Sequence, residues 1–286
     1  MYESDDEIIY AKQEERVGKS RSKRFDELLR RHDVARRGYR PELSDEAKRS
    51  IAQFEREVEE LSRLVDAEIE NLVPPRGPSF DFPLLTRDEH LHVFGPGNLT
   101  HAWTWPGEGQ ANADFQNGTF YAENYTTGPA RFSVAQVGVI FHPTPALSKL
   151  SVRAYVSSTG FDILKSAVHD PSIPEERRAW ALGSVGLKVD SWNPGVGDYN
   201  LDGETWVNLW DRSEVNPSSS RDYNQAVSVP DGLTLEPLAV NSRDYGIWVT
   251  CRVGVSADPG FAVSTYATSS IGCQLVYFVV EEIEHW

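Results

Sequence analysis

The sequence predicts a mainly β protein, namely an antiparallel two-sheet β-sandwich of which the jelly roll is one variant, preceded by an N-terminal amphipathic helix or short coiled coil. Apolar residues make up 40% of the chain and aromatic residues 11%, which is enough for a sizeable core. From residue 79 onward, short runs of alternating apolar and polar residues are separated by Gly, Pro, Asn and Asp. This texture is typical of a sandwich or barrel.

The N-terminal part differs in composition from the rest. Residues 1–43 are dense in charge and poor in large apolar side chains, so we expect a partly disordered arm. A helix is predicted over 44–73, where Ser44 is suited to cap the N-terminus and apolar residues recur at three- and four-residue steps. This stripe packs either on the protein's own β-domain or in a coiled coil between chains, and it consists of Ile51, Phe54, Val58, Leu61 and Val65. Three prolines within the linker 74–78 end the helix.

A β-domain is predicted over 79–286. Two-residue hairpin turns are expected at Asn117-Gly118 and at Asp202-Gly203, because Asn, Asp and Gly tolerate positive φ. A short helical insertion is expected within 172–183, opening at Pro174. The predicted strands are 119–126, 131–141, 150–157, 183–191, 204–210, 224–229, 233–240, 245–256 and 271–283.

The last two predicted strands are apolar enough to lie centrally in a sheet or under a cover. In 271–283 both faces are apolar, so the helix or another subunit is expected to cover one of them. The two strands are expected to form a hairpin that carries the chain's two cysteines, Cys251 and Cys273. We expect both thiols to be reduced and buried, which suits a reducing compartment. In the shortest register of this hairpin the two sulfur atoms miss one another and cannot form a disulfide.

The overall charge limits the classes of partner. A net charge of −15 argues against generic nucleic-acid binding by the β-domain and against anionic membranes. Between Arg16 and Arg49, however, twelve residues are basic and six acidic, so the arm suits an acidic partner or its own body. No apolar run is long enough to span a membrane, and the first ten residues do not look like a secretory signal. We therefore expect a cytoplasmic location or release within an assembly.

Two patterns suggest metal ligands. Asp198, Asn200 and Asp202 alternate like the first half of a calcium-binding loop, although Leu209 stands where such a loop needs its bidentate carboxylate. The alternative is a hairpin turn rich in Asp and Asn. We expect no cofactor, and calcium is the metal ion that this segment could bind. His90, His92 and His101 could hold zinc, but no carboxylate follows the first pair, which favours ordinary surface or satisfied histidines.

Tryptophans provide the most suggestive binding pattern. Trp206 and Trp210 are four residues apart in a predicted strand, so they are expected to share a face with Asn208 between them. Trp103 and Trp105 are likewise expected to share a face. An aromatic ring beside hydrogen-bonding groups suits a sugar, whose C–H face stacks while its hydroxyl groups pair. The alternative is that these rings belong to the core.

Three functions follow from these patterns. The first is a non-enzymatic structural or interaction protein, such as a virion component, that self-associates through its helical arm. The second is a carbohydrate-binding, lectin-like module that uses the paired tryptophans. The third is an enzyme on a β-sandwich scaffold, for which the sequence contains no nucleophile elbow and no phosphate-binding loop.

Overall fold

The computed structural model describes residues 90–169, 171–173, 175–193, 198–227, 233–260 and 262–284, together with positions 49, 52, 53 and 56. These ranges form thirteen β-strands, numbered in chain order. They are β1 Leu91–Phe94, β2 His101–Trp105, β3 Gln110–Asp114, β4 Thr119–Thr126, β5 Arg131–Phe141, β6 Leu147–Val168, β7 Arg178–Asn193, β8 Asp198–Val215, β9 Ser218–Val227, β10 Leu233–Leu235, β11 Leu238–Val240, β12 Tyr245–Ala257 and β13 Val263–Glu284.

The strands form two antiparallel sheets that pack face to face. One sheet has eight strands, with the order β10-β6-β13-β4-β3; β1 also pairs with β13, and β9 and β11 pair with β6. The other sheet has five strands, with the order β2-β5-β12-β7-β8. The prediction of a mainly β, two-sheet sandwich is confirmed. The jelly-roll variant and the domain bounds stay predictions.

The core lies between the sheets and follows from strict alternation along the central strands. In β12, Ile247, Val249 and Val253 point inward and are fully buried. Ile271 and Leu275 of β13 meet them from the eight-stranded sheet and are equally buried. Because successive side chains in a strand point to opposite faces, the residues between them face outward.

Several predicted elements have the expected bounds. The strands β4 and β5 begin and end where the sequence places them. Asn117-Gly118 lies in the turn between β3 and β4, and Gly118 has a positive φ of 67°. The predicted two-residue loop is wrong, however, because Asp114 pairs with Thr119 and the loop spans residues 115–118. The strands β1, β2 and β3 were not predicted, because each has only four or five residues.

The N-terminal predictions fall outside the described residues. They comprise the arm 1–43, the linker 74–78 and the apolar stripe Ile51, Phe54, Val58, Leu61 and Val65. At the four isolated described positions, Arg49, Ala52, Gln53 and Arg56, the backbone is helical. The helix over 44–73 as a whole stays a prediction. No helix in the described part of the chain is long and apolar enough to cross a membrane.

The short helix predicted within 172–183 is wrong. Strand β7 begins at Arg178, and its alternation buries Ala179 and Ala181 against the core. Glu175, expected in the first turn of a helix, instead accepts the backbone N–H groups of Ala262 and Val263 at 2.6 and 3.0 Å. Tertiary pairing of this segment therefore overrides its local helix signal.

The hairpin predicted at Asp202-Gly203 is also wrong, because both residues lie inside β8. Val189 pairs with Gly203, whereas Asp190 pairs with Leu201, so Asp202 is an extra residue in the strand. This is a β-bulge, in which two residues of one strand oppose one residue of its neighbour. The flexible Asp-Gly pair is used to bend a continuous strand and not to reverse it.

The strands β12 and β13 do not form the predicted hairpin. They belong to different sheets and face each other across the core. Cys251 and Cys273 are free and fully buried, as expected, but the prediction that their sulfur atoms miss one another is wrong. The two thiols are close neighbours within the core. Burial raises the pKa of Cys273, and the adjacent Cys251 raises it further.

A second bulge in β8 determines which tryptophan enters the core. Ser184 pairs with Asn208, whereas Gly183 pairs with Trp210, so Leu209 is the extra residue. The Trp210 side chain is only 4% exposed, and its ring occupies the space where a Cβ atom on Gly183 would lie. Its Nε1 donates to Ser269 Oγ of the opposite sheet at 3.0 Å. Trp210 therefore connects the two sheets.

Arg212 continues this inward alternation two residues later. Its guanidinium is 7% exposed and donates to the fully buried carboxylate of Asp162 on β6. Its Nε donates to Glu214 Oε1 at 2.6 Å, and Ser219 Oγ donates to the other oxygen of Glu214 at 3.0 Å. A buried ion pair requires such additional hydrogen bonds. The network links β8 to β6 and β9.

Replacing Trp210 should destabilise the fold far more than replacing Trp206. Trp210→Ala opens a cavity between the sheets, so we expect the free energy of unfolding to fall by about 3–5 kcal/mol. Trp206→Ala is the matched control, because its ring lies on the outside of the same strand and its loss should cost clearly less. Urea unfolding followed by fluorescence measures both. Equal losses would contradict the assignment of Trp210 to the core.

Candidate functional site

The outer face of the five-stranded sheet is the candidate site. Alternate residues of each strand point away from the core onto this face. The chain has eight tryptophans, and six of them are placed here by the pairing registers and alternation of the strands. These six are Trp103, Trp105, Trp180, Trp192, Trp206 and Trp248. We call this surface the tryptophan face.

One row of side chains crosses all five strands of the tryptophan face. Trp103 of β2 pairs with Gln136 of β5, which pairs with Thr250 of β12. Thr250 pairs in turn with Gly186 of β7, and Gly186 pairs with Trp206 of β8. Directly paired residues in an antiparallel sheet have their side chains on the same face. We call this set of five residues the central row.

At one end of the central row, the Trp206 ring lies flat beside the sheet. A Cβ atom on Gly186 would come within 2.6 Å of the indole carbons, so only glycine lets the ring approach this closely. The guanidinium carbon of Arg252 lies 3.9 Å from the ring centroid. This is a cation–π contact, which orients both groups. The ring is therefore held in one position by contacts within the protein.

Polar atoms in the central row lack hydrogen-bond partners among the described residues. They are Gln136 Nε2, Thr250 Oγ1 and Trp206 Nε1, and each is shielded from bulk water. Gln136 and Thr250 are each only 1% exposed. Leaving a buried polar atom unpaired costs about 1–3 kcal/mol. Atoms of this kind, gathered in one row, call for a ligand or water molecules that complete their hydrogen bonds.

The neighbouring rows are more completely paired. Trp180 Nε1 donates to Asp211 Oδ1 at 2.7 Å, and Ser184 Oγ donates to Asn208 Oδ1 at 2.8 Å. On the other side of the central row, Trp248 makes an edge contact with the His101 ring at 6.2 Å between centroids. The rows beside the central row are thus fixed by their own contacts.

Charged groups are grouped at one corner of the tryptophan face. Asp190 is almost fully buried, and burial, together with the nearby carboxylates of Asp202 and Glu204, raises the pKa of its carboxyl group to about 8. The Lys188 ammonium, 3.0 Å from Asp190 Oδ2, acts in the opposite direction. At neutral pH this corner therefore holds a largely protonated Asp190.

Four of the five sequence-predicted binding residues are brought together. Trp103 and Trp105 share the tryptophan face with Trp206 and Asn208. The prediction that Trp210 shares this face is wrong, because the bulge at Leu209 shifts the alternation by one residue and turns Trp210 into the core. A bulge of this kind leaves no mark in the period-two pattern.

Other residues of the tryptophan face were missed by sequence reasoning. They are Gln136, Trp180, Trp192, Trp248, Thr250 and Arg252. For three of them a signal was present: the inward set Ile247, Val249, Cys251 and Val253 leaves Trp248, Thr250 and Arg252 on the opposite face of β12. The contribution of Gln136 depended on knowing that β5 pairs with β12, which the sequence alone does not reveal.

The predicted metal ligands lie in different settings. Asp198 and Asn200 belong to β8, and Asp202 is the extra residue of the first bulge, so this segment is a strand and not a loop. His92 is hydrogen-bonded to Glu282 at 2.9 Å within the eight-stranded sheet, whereas His101 lies on the tryptophan face. Within the described ranges, no group of three or more His, Cys, Asp or Glu could hold a metal ion. Calcium stays a prediction.

Asp190 should make the fold less stable as the pH rises. Its folded pKa of about 8 exceeds the ordinary value of 3.8, so between these values the folded state binds more protons than the unfolded state. Stability from this group is therefore complete below about pH 4 and is lost as the pH approaches 8. Asp190→Asn should remove this part of the slope when urea unfolding is compared at pH 5.5 and 8.5. A variant whose slope equals that of the wild type would contradict a protonated Asp190.

Comparisons with known proteins identify no family. No protein-family model and no curated protein matches the chain. Among solved structures, a CBM4 protein is 11% identical, over 71% of this chain and 96% of its own, with a TM-score of 0.16. Winged bean acidic lectin, in complex with methyl-α-D-galactose, is 12% identical over 68% and 100%, with a TM-score of 0.20. A mannan-recognising carbohydrate-binding module is 14% identical over 68% and 96%, with a TM-score of 0.20. Similarities with such low TM-scores support no assignment of family or function.

Proposed function

We propose that the protein binds carbohydrate on the tryptophan face. The observation that carries the proposal is the central row, in which Trp103 and Trp206 flank polar atoms that lack partners among the described residues. A sugar ring offers an apolar C–H face to an aromatic ring and hydroxyl groups to polar atoms. Few other soluble ligands present both kinds of surface at such short intervals.

The geometry favours a hydroxylated ligand over a purely apolar one. Gln136 Nε2 and Trp206 Nε1 are donors only, whereas Thr250 Oγ1 can donate or accept. An apolar partner would leave all three atoms unpaired and would keep their cost of about 1–3 kcal/mol each. Sugar hydroxyl and ring oxygens can accept from both donors, but they reach these shielded atoms only after the side chains that cover them move.

Removing the tryptophan at either end of the central row should weaken carbohydrate binding. We expect Trp103→Ala and Trp206→Ala each to lower affinity about tenfold or more, since truncating a central aromatic anchor commonly costs over 1.4 kcal/mol. Binding is measured by affinity electrophoresis through gels that contain β-1,4-glucan, xylan, mannan or amylose. Tyr125→Ala is the matched control, because Tyr125 is 40% exposed on the other sheet.

Two results would contradict the proposal. One is the absence of retardation by every polysaccharide in the panel and by branched glycoprotein glycans. The other is wild-type retardation of both tryptophan variants, with circular dichroism showing that they are folded.

A second candidate function is self-association, as in the structural or interaction protein expected from the sequence. The observation in its favour is an exposed apolar patch on the outer side of the eight-stranded sheet. Ile283 and Leu238 flank Lys149 there and are 42% and 57% exposed. Leu147, 41% exposed, lies two residues from Lys149 along β6. Exposed apolar side chains that lie together favour contact with another protein surface.

Sedimentation tests this second function. If the patch joins two copies of the chain, Leu238→Asp and Ile283→Asp should convert an oligomer into a monomer at micromolar concentration. Leu201→Asp is the matched control, because Leu201 is 50% exposed but belongs to the other sheet. A monomeric wild type would refute self-association, and an oligomer that survives both substitutions would exclude this patch.

A further inference from the structure

We infer that the apolar stripe of residues 51–65 packs against the outer side of the eight-stranded sheet of the same molecule. This inference goes beyond the proposed carbohydrate-binding function, which concerns the other sheet. It gives the exposed patch around Leu238 and Ile283 an occupant within the chain, so that a second copy becomes the alternative outcome of the test. The composition of this sheet face, the point at which the chain enters the sheet, and the size and charge of both surfaces support the assignment.

The outer side of the eight-stranded sheet is apolar at the end where β1, β13, β6 and β11 meet. Val93 of β1 pairs with Val279 of β13, and Leu238 of β11 pairs with Lys149 of β6, which also pairs with Ile283 of β13. Directly paired residues in an antiparallel sheet have their side chains on the same face. We call this surface the outer apolar face, and its members are Leu91, Val93, Leu147, Leu238, Val279 and Ile283.

Strand β13 shows why this face needs a cover. Its residues Phe278 and Val280 point into the core and are fully buried, so Val279 and Ile283 point the opposite way. An antiparallel strand with one side in water commonly has polar residues on that side. Here Val279 is only partly buried, and Ile283 and Leu238 are 42% and 57% exposed. The described residues thus leave open an apolar surface of the kind that a further protein segment covers.

The N-terminal part of the chain enters the fold at the edge of this face. Leu91, the first residue of β1, pairs with Glu281 of β13. The helix predicted over 44–73 is therefore joined to the sheet by residues 74–90. These seventeen residues can span about 56 Å at about 3.3 Å each, so the stripe can return to its own sheet. A contact within one chain has an effective concentration in roughly the millimolar range, which favours it over a contact between copies.

The stripe and the face have the same length. From Ile51 to Val65 there are fourteen residue steps, which make about 21 Å of helix at about 1.5 Å per step. From Tyr277 to Ile283 there are six steps of β13, which make about 20 Å at about 3.4 Å per step. The backbone is helical at Arg56, within the stripe. A helix is about 10–12 Å wide, so it would cover β13 and its neighbour on each side.

The two halves of the stripe differ in charge. Glu55 and Glu57 flank its first half, because they take the e and g positions of the heptad whose a and d positions form the stripe. In the second half the same positions are Ser62 and Leu64. The stripe therefore has an acidic first half and a neutral second half.

The outer apolar face has a matching change of charge along β13. Arg153 of β6 is exposed on this face and pairs with Val279, whereas the exposed Glu281 lies two residues further along β13. Opposite charges attract and like charges repel, so the acidic half belongs beside Arg153 and the neutral half beside Glu281. This direction also brings the end of the stripe toward β1, which residues 74–90 must reach.

Hydrogen exchange of the full chain tests the inference. The amides of residues 51–65 should be protected in a wild type that sediments as a monomer. Val279→Asp and Ile283→Asp should each lower this protection at least tenfold, because each places a carboxylate beneath the stripe. Leu201→Asp is the matched control, since Leu201 is 50% exposed on the other sheet. Unchanged exchange in β12 verifies that each variant is folded.

Three results would overturn the inference. Rapid exchange of residues 51–65 in the wild type would mean that nothing covers the stripe. Protection that survives both substitutions on the face would mean that the stripe packs elsewhere. Protection that falls on dilution, while sedimentation shows an oligomer dissociating, would make a second copy the occupant and would support the self-association considered above. None of these results bears on carbohydrate binding by the tryptophan face.

Discussion

The bulge at Leu209 is the constraint on which the rest of the structure depends. Before it, β8 directs Trp206 and Asn208 outward; after it, Trp210 and Arg212 point inward. A strand without the extra residue would put all four side chains on one face. With the bulge, the same short segment supplies both a surface ring and the ring that joins the sheets. The division between core and candidate site is therefore made within five residues of one edge strand.

The same strand pair shows why glycine residues recur where the large rings lie. Gly183 leaves room for the Trp210 ring in the core. Gly186 lies on the opposite face of β7 and leaves room for the Trp206 ring on the tryptophan face. A side chain at either position would push the ring off the sheet. Glycine weakens a strand, at a cost of roughly 0.5–1 kcal/mol relative to alanine. That loss is smaller than the free energy that a buried aromatic ring contributes, about 3–5 kcal/mol for the core ring.

How much could be predicted depended on whether local pattern or long-range pairing decided the structure. Alternation alone predicted β4 and β5 and the inward face of β12. It also placed Trp103 beside Trp105, and Trp206 beside Asn208. The errors arose where a non-local partner decided the outcome. Asp202-Gly203 became a bulge because β7 continues beside it, and residues 178–183 became strand because β12 pairs with them. The same holds for the facing cysteines, whose strands lie in opposite sheets.

The central row is hard to explain by packing alone. Three polar atoms without partners among the described residues, at about 1–3 kcal/mol each, amount to a sizeable share of the 5–15 kcal/mol that usually separates folded from unfolded domains. Valine at position 250 would remove one of these atoms with almost no change in shape, and leucine at 136 would remove another. The inward faces of the same strands use such apolar residues, for example Val137 and Val249. The polar residues of this row therefore cost stability unless hydrogen-bond partners complete them.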